Sequence, residues 1–232
     1  MALKNMCKYM MSTSTVTSVI SHIYFCLSNH KSPHFSNLSE AYDHEPMKFM
    51  LSQRKPNTIF LREIDRKNHM FSVDGDSGFM EQSNLVLLKM GKYMEKMFTT
   101  DVDFFNDHYI VDSKTGKPNK PVPEGSDLRD EDYYRYMRAG KMMLRSQIDA
   151  KGHDENGNEI VFEVKTRASA PLRYDISNYI DYLDYGIVKC KGQHSSFERE
   201  FYDLIRGGFL KYILQMKIGQ MQGAAVAYHN TQ

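Results

Sequence analysis

The stretch MMLRSQIDAKGHDENGNEIVFEVKTRA, residues 142–168, decides the fold. Residues 142–150 and 160–168 are rich in apolar and β-branched side chains and are predicted to be strands. The polar segment 151–159 between them contains Asn-Gly at 156–157, a dipeptide typical of hairpin turns. This part of the chain therefore predicts a β-hairpin.

Two carboxylates and a lysine are expected to meet in this hairpin. Along the second strand Val161, Glu163 and Lys165 share one face, because successive side chains in a strand alternate. Asp149 ends the first strand, so antiparallel pairing can bring it to the same face. Two carboxylates can hold Mg²⁺ or Mn²⁺, which activates water and neutralises charge on a phosphodiester, and a lysine can stabilise the developing oxyanion. Exposed strands often alternate Glu and Lys for solubility, and on the spacing alone that interpretation is the more common one.

The composition excludes several other classes of protein. The chain has 232 residues with 30 basic and 29 acidic side chains, so any nucleic-acid surface must be a local patch. No run of apolar residues approaches the ~20 that a membrane span needs, so no membrane span is expected. Three scattered cysteines, Cys7, Cys26 and Cys190, favour neither a disulfide framework nor a zinc site. One domain, or one domain with an N-terminal attachment, fits this length.

The remaining elements are predicted from hydrophobic periodicity, capping residues and turn residues. The Ser/Thr-rich residues 11–19 are interpreted as a helix entrance or, alternatively, as hydroxyls gathered around a phosphate. The predicted elements are a helix from this entrance to about Leu27, an irregular segment at 28–56, a hairpin at 57–73, a turn at 74–78, a helix at 84–98, a polar loop at 99–126, a charged helix at 127–140, one amphipathic helix at 196–218 and a strand at 224–228.

Several longer sequence motifs are distinctive. They are RSQIDA (145–150), FEVKTRA (162–168), SSFEREFYDLIRGGFLKYILQMKIGQMQG (195–223), AYHNT (227–231) and YMMSTSTVTSVISHIYFCLSN (9–29). Together they resemble the Pet family of mitochondrial RNA-processing proteins. The resemblance implies the PD-(D/E)XK nuclease superfamily and an α+β (α/β) fold with a mixed central sheet flanked by helices. It also implies a helical and hairpin extension at 1–83, packed on a nuclease-like core at 84–232.

The resemblance also implies roles for individual residues. Asp149, Glu163 and Lys165 match the superfamily core, Glu95 matches a further metal-binding acid on the preceding helix, and Gln215 matches a glutamine near the active site. The family has Asp where this chain has Glu163. Three arginines are candidate phosphate contacts, although each taken singly is more often a surface charge: Arg145, Arg167 and Arg173.

Three functions remain open at this point. The first is a Mg²⁺- or Mn²⁺-dependent (exo)ribonuclease of the mitochondrial matrix, acting on single-stranded RNA at its 5′ end. The second is a catalytically silent RNA-binding or scaffold subunit that works with mitochondrial transcription, RNA-turnover or ribosomal proteins. The third is a DNA nuclease of the same superfamily. The family continues on both sides of the matching block, so a fragment of a split protein or a minimal domain of a larger assembly is expected.

Overall fold

Two mixed β-sheets and the helices around them form the part of the chain that the computed structural model describes, residues 2–75, 85–121 and 133–229. The strands are β1 Tyr9–Ser12, β2 Ile59–Asp65, β3 Met70–Gly75, β4 Tyr133–Ala139, β5 Met142–Ile148, β6 Ala150–His153, β7 Glu159–Ala168 and β8 Gly223–His229. The α-helices are α1 Thr13–Leu27, α2 Leu51–Arg54, α3 Leu85–Thr99, α4 Val102–His108, α5 Ala170–Tyr174, α6 Phe197–Gly207 and α7 Phe209–Gly219. Short 3₁₀ turns lie at Leu3–Asn5, Glu40–Tyr42 and Ile176–Tyr182.

The larger sheet has the strand order β2-β3-β1-β5-β4. Its middle strand, β1, runs parallel to both neighbours and places Tyr9 opposite Phe71 on one side and Met142 on the other. Residues of the predicted N-terminal extension therefore share a sheet with the strand that leads to Asp149. The predicted boundary between residues 83 and 84 lies outside the described residues.

The smaller sheet has the order β6-β7-β8, with β6 antiparallel and β8 parallel to β7. A single residue, Asp149, separates β5 of the larger sheet from β6 of the smaller one. The chain therefore changes sheet at the residue that the sequence predicted to be catalytic. Both sheets mix parallel and antiparallel pairs, and helices pack on them, which confirms the predicted mixed α+β class.

The helix α7 packs against both α1 of the N-terminal segment and β5 of the larger sheet. Val16 of α1, Leu144 of β5 and Ile218 of α7 form one buried apolar cluster. Burial of such side chains contributes about 1.5–3 kcal/mol each. This packing fixes α7, which carries the predicted Gln215, against β5, the strand that leads to Asp149.

Two predicted helices are confirmed at nearly their predicted bounds. The Ser/Thr-rich entrance leads into α1, although the side chain of its N-cap residue Ser12 makes no capping hydrogen bond. The segment predicted as a helix at 84–98 forms α3, Leu85–Thr99. Among the helices that the structure describes, none is both long and apolar enough to span a lipid bilayer.

Two predictions for the middle of the chain are wrong. The segment predicted as a charged helix at 127–140 contains β4, because Tyr133–Ala139 pairs along its whole length with β5. Pairing with β5 satisfies the backbone N–H and C=O groups of this segment, and this outweighs its local preference for a helix. The predicted polar loop at 99–126 contains α4, whose N-cap Asp101 accepts hydrogen bonds from the amides of Asp103 and Phe104.

Three other boundaries also need correction. The helix predicted at 196–218 is two helices, because the chain breaks at Gly208, the C-cap of α6 and the N-cap of α7. The predicted turn at 151–159 is shorter, since residues 151–153 belong to β6. The turn predicted at 74–78 begins inside β3, which extends to Gly75, and its other residues lie outside the described part of the chain.

Replacing Gly219 with alanine is expected to destabilise the fold. A Cβ there would lie 2.8 Å from the Ser146 Oγ of β5 and 2.6 Å from the Met221 Cε. Relieving this overpacking costs about 1–3 kcal/mol of unfolding free energy, measurable by urea denaturation. In the matched control Gly152→Ala, the nearest atom to the new methyl lies 3.8 Å away, so stability should change little. Equal stability of the two variants would contradict the close packing of α7 on β5.

Candidate metal and catalytic site

The change of sheet at Asp149 places its carboxylate against β7. The carboxylate Oδ2 accepts a hydrogen bond of 2.9 Å from the backbone amide of Val164. This contact occupies an amide that lies just beyond the last β6–β7 pair, Ala150 with Phe162. This hydrogen bond to the backbone therefore holds the Asp149 side chain beside Glu163 and Lys165, the neighbours of Val164 on β7.

Asp149, Glu163 and Lys165 come together as the sequence predicted. The Lys165 Nζ lies 2.5 Å from the Glu163 Oε1 and 3.3 Å from the Asp149 Oδ2. The Glu163 side chain is only 2% exposed, and that of Lys165 is 28% exposed. Burial lowers the pKa of Lys165, but the charges of Glu163 and Asp149 outweigh burial and raise its pKa overall. The ammonium is therefore held in its charged form between two carboxylates.

Gln215 reaches the same cluster from α7. Its Nε2 donates a hydrogen bond of 2.9 Å to the Glu163 Oε1, the atom that also contacts Lys165. Its other polar atom, Oε1, is buried and has no hydrogen-bond partner among the described residues. Buried polar atoms of this kind are uncommon and often await a ligand or water. The structure thus brings Gln215 to the predicted site with a free oxygen acceptor.

Glu95 of α3 also belongs to this neighbourhood. Burial raises the pKa of its carboxyl, the charge of Asp149 raises it further, and the charge of Lys165 lowers it. The helix α3 packs on β7, the strand that carries Glu163 and Lys165, which puts Glu95 in the neighbourhood of the triad. No hydrogen bond or ion pair joins Glu95 to Asp149 or Glu163 among the described residues, so its role as a third metal-binding acid stays a prediction.

Sequence reasoning missed Lys211. Burial lowers the pKa of its ammonium, the nearby charge of Lys165 lowers it further, and Glu163 partly compensates. Lys211 lies one helical turn before Gln215, so both project from the same side of α7. The i, i+4 spacing of Lys211 and Gln215 is visible in the sequence and is the signal that could have identified this residue.

The arginines predicted to contact phosphates have different surroundings. Arg167 lies on β7, two residues after Lys165 and on the same face, and its Nε is buried without a partner in the described residues. Arg145 is exposed on β5, and its guanidinium lies 4.5 Å from the centre of the Tyr134 ring. Only Arg167 is aligned with the triad along one strand.

Arg173 has a structural environment that does not support the predicted phosphate contact. Its Nη1 contacts the Glu200 carboxylate and the carbonyl of Ala168, and its Nη2 lies 2.9 Å from the Asp203 Oδ2. Both carboxylates are fully buried. The guanidinium is therefore engaged in an internal ion-pair network that joins α5 to α6.

The donor atoms of the cluster fit a hard divalent cation. Asp149, Glu163 and Glu95 offer carboxylate oxygens, Gln215 offers an unpartnered amide oxygen, and such ligands suit Mg²⁺ or Mn²⁺. Across residues 2–75, 85–121 and 133–229, however, no three acidic, histidine or cysteine side chains are gathered closely enough to form a ready-made metal cage. Lys165 instead neutralises the two central carboxylates.

Comparison with known proteins identifies the family. All residues, 1–232, match the sequence model of the family described as mitochondrial protein Pet127. The chain belongs to this Pet127 family. The resemblance seen in the sequence motifs is thereby confirmed at family level, and the family's description agrees with the predicted mitochondrial location.

Two curated Pet127 relatives show how far the similarity extends. The mitochondrial mRNA degradation protein pet127 of Schizosaccharomyces pombe is 34% identical over 228 residues, covering 95% of this chain and 40% of the relative. The putative mitochondrial translation system component PET127 of Saccharomyces cerevisiae is 32% identical over 228 residues, covering 96% of this chain and 25% of the relative. This chain thus spans less than half of either Pet127 relative. No solved structure matches it.

Proposed function

We propose that this chain carries a PD-(D/E)XK-type ribonuclease centre that processes or degrades RNA in the mitochondrial matrix with Mg²⁺ or Mn²⁺. The observation that carries the proposal is the convergence of Lys165 on both carboxylates, Asp149 and Glu163, at the junction of the two sheets. The proposal of RNA as substrate draws on the printed name of the S. pombe relative, an mRNA degradation protein.

Each residue of the cluster has a chemical role in this proposal. Asp149, Glu163 and Glu95 would hold the ion, which when bound lowers the pKa of water and neutralises phosphodiester charge. Lys165 would then orient the attacking water or stabilise the developing oxyanion, since a lysine acts as a mobile point charge. Gln215 holds Glu163 in place through its Nε2. Arg167 lies further along β7, where it can contact the phosphate backbone of the RNA.

The test is RNA cleavage by the purified 232-residue chain in Mg²⁺ or Mn²⁺. Single-stranded RNAs carrying a labelled 5′ or 3′ end, with and without a 5′-monophosphate, are expected to be shortened, and EDTA should stop the reaction. A single-stranded DNA of the same sequence, assayed in parallel, separates a ribonuclease from a DNA nuclease of the same type. Absence of cleavage in both ions, with a folded chain that still binds RNA, would contradict the catalytic proposal.

A second candidate function is a silent RNA-binding or scaffold subunit. It is favoured by the ion pairs of Lys165, which give both carboxylates a cationic partner from the protein itself, and by the name of the S. cerevisiae relative, a putative translation system component. In that case the chain should copurify with a mitochondrial ribosomal, transcription or RNA-turnover assembly and show no cleavage. Cleavage that requires the triad would exclude this function as the sole one.

A further inference from the structure

The helices α1 and α7 pack on one face of the larger sheet. Val16 of α1 and Ile218 of α7 meet Leu144 of β5 in a buried cluster on that face. Because successive side chains of a strand point to opposite faces, Met143 and Arg145 belong to the second face. The N-terminal segment covers Met143 there, whereas Arg145 is exposed. The second face is therefore open where β5 approaches Asp149, among the residues that the structure describes.

Two tyrosines and two arginines lie together on this second face. The register of β4 and β5 places Tyr136 opposite Arg145, and Tyr134 and Arg138 lie two positions from Tyr136 along β4, on the same side. The ring centres of Tyr134 and Tyr136 are 6.5 Å apart. The guanidinium of Arg145 lies 4.5 Å from the centre of the Tyr134 ring. These four residues are called the sheet platform below.

The sheet platform presents an aromatic ring and two cations to solvent. Tyr136 is 44% exposed, and both arginines are exposed. The Tyr134 ring holds Arg145 in place, and the Nε of Arg138 donates a hydrogen bond to the carbonyl of Gly140. Within residues 2–75, 85–121 and 133–229, neither cation is paired with a carboxylate. A planar apolar group and an anion can therefore both be bound at this place.

The charge of the two strands favours a polyanionic partner. β4 and β5 carry Arg135, Arg138 and Arg145 and no acidic residue, although the chain as a whole has 30 basic and 29 acidic side chains. The other edge of the same sheet is different, because there Arg62 forms an ion pair of 3.3 Å with Asp74. The uncompensated positive charge is thus local to β4 and β5, as the nearly neutral composition requires of any nucleic-acid surface.

We propose that the sheet platform binds single-stranded RNA, with a base stacked on Tyr136 and backbone phosphates in contact with Arg138 and Arg145. Aromatic side chains on exposed sheet faces stack unpaired bases, and a duplex would keep its bases out of reach. Four residues of extended chain, about 13 Å, lead from Arg145 to Asp149, so RNA on the platform lies near the acidic cluster. The choice of RNA rests on the proposed function, whereas the platform itself rests on the geometry of β4 and β5.

Binding of a labelled single-stranded RNA to the 232-residue chain, measured in EDTA at several KCl concentrations, tests the platform. Tyr136→Ile removes the ring but suits a strand, and it should weaken binding about tenfold without changing the slope of log K against log salt. Tyr136→Phe keeps the ring and should bind like the unmodified chain. Arg145→Gln should reduce the slope by about 0.7, the loss of one phosphate contact to a single strand.

Phe60→Ile and Arg62→Gln are the matched controls. Both residues lie on the same face of the sheet but on β2, its opposite edge, and both variants should bind RNA like the unmodified chain. The Tm of each variant shows that it is folded. Equal binding by Tyr136→Ile and Phe60→Ile would overturn the platform even if the chain cleaves RNA, and would favour a protein partner for this face. Weakened binding by the platform variants of a chain that cleaves nothing would support the platform and refute only the nuclease proposal.

Discussion

RNA cleavage by the Asp149→Asn variant is expected to be roughly 1,000-fold slower than cleavage by the unmodified chain. Asparagine has nearly the same shape as aspartate, and its side-chain oxygen can still accept the hydrogen bond from the Val164 amide. What is lost is the negative charge, which is required to hold a divalent cation and which also attracts Lys165. The comparison therefore separates chemistry from folding.

The measurement is single-turnover cleavage of labelled RNA in Mg²⁺, with circular dichroism and the Tm as controls of folding. Asp184→Asn provides the matched control, because Asp184 is exposed and lies outside the cluster. That variant should cleave at the unmodified rate. If Asp149→Asn cleaves as fast as Asp184→Asn, the hairpin carboxylates are not the catalytic centre, and any cleavage observed must come from another site or a contaminant.

The largest loss of stability is expected for Arg173→Met. The change removes the cation that pairs with Glu200 and Asp203, two carboxylates with no exposed side-chain surface. Asp203 keeps Arg199, whose Nε lies 3.2 Å away, and Glu200 keeps the backbone amide of Ala170. Removing one partner from such a buried network costs about 3–5 kcal/mol, because an uncompensated buried charge is left behind.

Urea denaturation of Arg173→Met measures this loss, and a double variant identifies its cause. Arg173→Met combined with Glu200→Gln should recover part of the stability, since the glutamine leaves less charge without a partner. Arg66→Met, in the exposed turn between β2 and β3, should change the unfolding free energy little. A loss below about 1 kcal/mol in Arg173→Met would show that the network contributes little to folding.

The triad and the turn of the hairpin could be predicted from the sequence because the signals there are local. The first strand of the predicted hairpin was wrong, since residues 142–148 pair with β1 and β4 in the larger sheet and only β6, Ala150–His153, pairs with β7. The alternation along residues 160–168 fixes which side chains share a face, and the Asn-Gly pair fixes the reversal of direction. The change of sheet at Asp149 could not be predicted, because it depends on β1 taking the place beside β5. Gln215 and Glu95 were predicted only from the resemblance to the family, because their spacing along the chain does not by itself indicate a functional site.

The errors arose where distant parts of the chain determine the local structure. β4 has three tyrosines among seven residues, a composition that suits a strand, yet its charges also suit a helix, and only pairing with β5 decides between them. The sequence does not show that α6 brings two buried carboxylates, Glu200 and Asp203, against Arg173. Lys211 was not predicted because the two influences that lower its pKa, burial and the charge of Lys165, arise only in the folded chain.

The central position of β1 has a consequence for the time course of folding. Its partners begin at Met70 and Met142, so its second neighbour is synthesised more than a hundred residues later. At translation rates of about 5–20 residues per second, the interval is on the order of ten seconds. During this interval the apolar strand has an open edge, and closing so long a loop slows the final pairing. Nascent chains should therefore be especially prone to aggregation, or dependent on chaperones, until β5 has emerged.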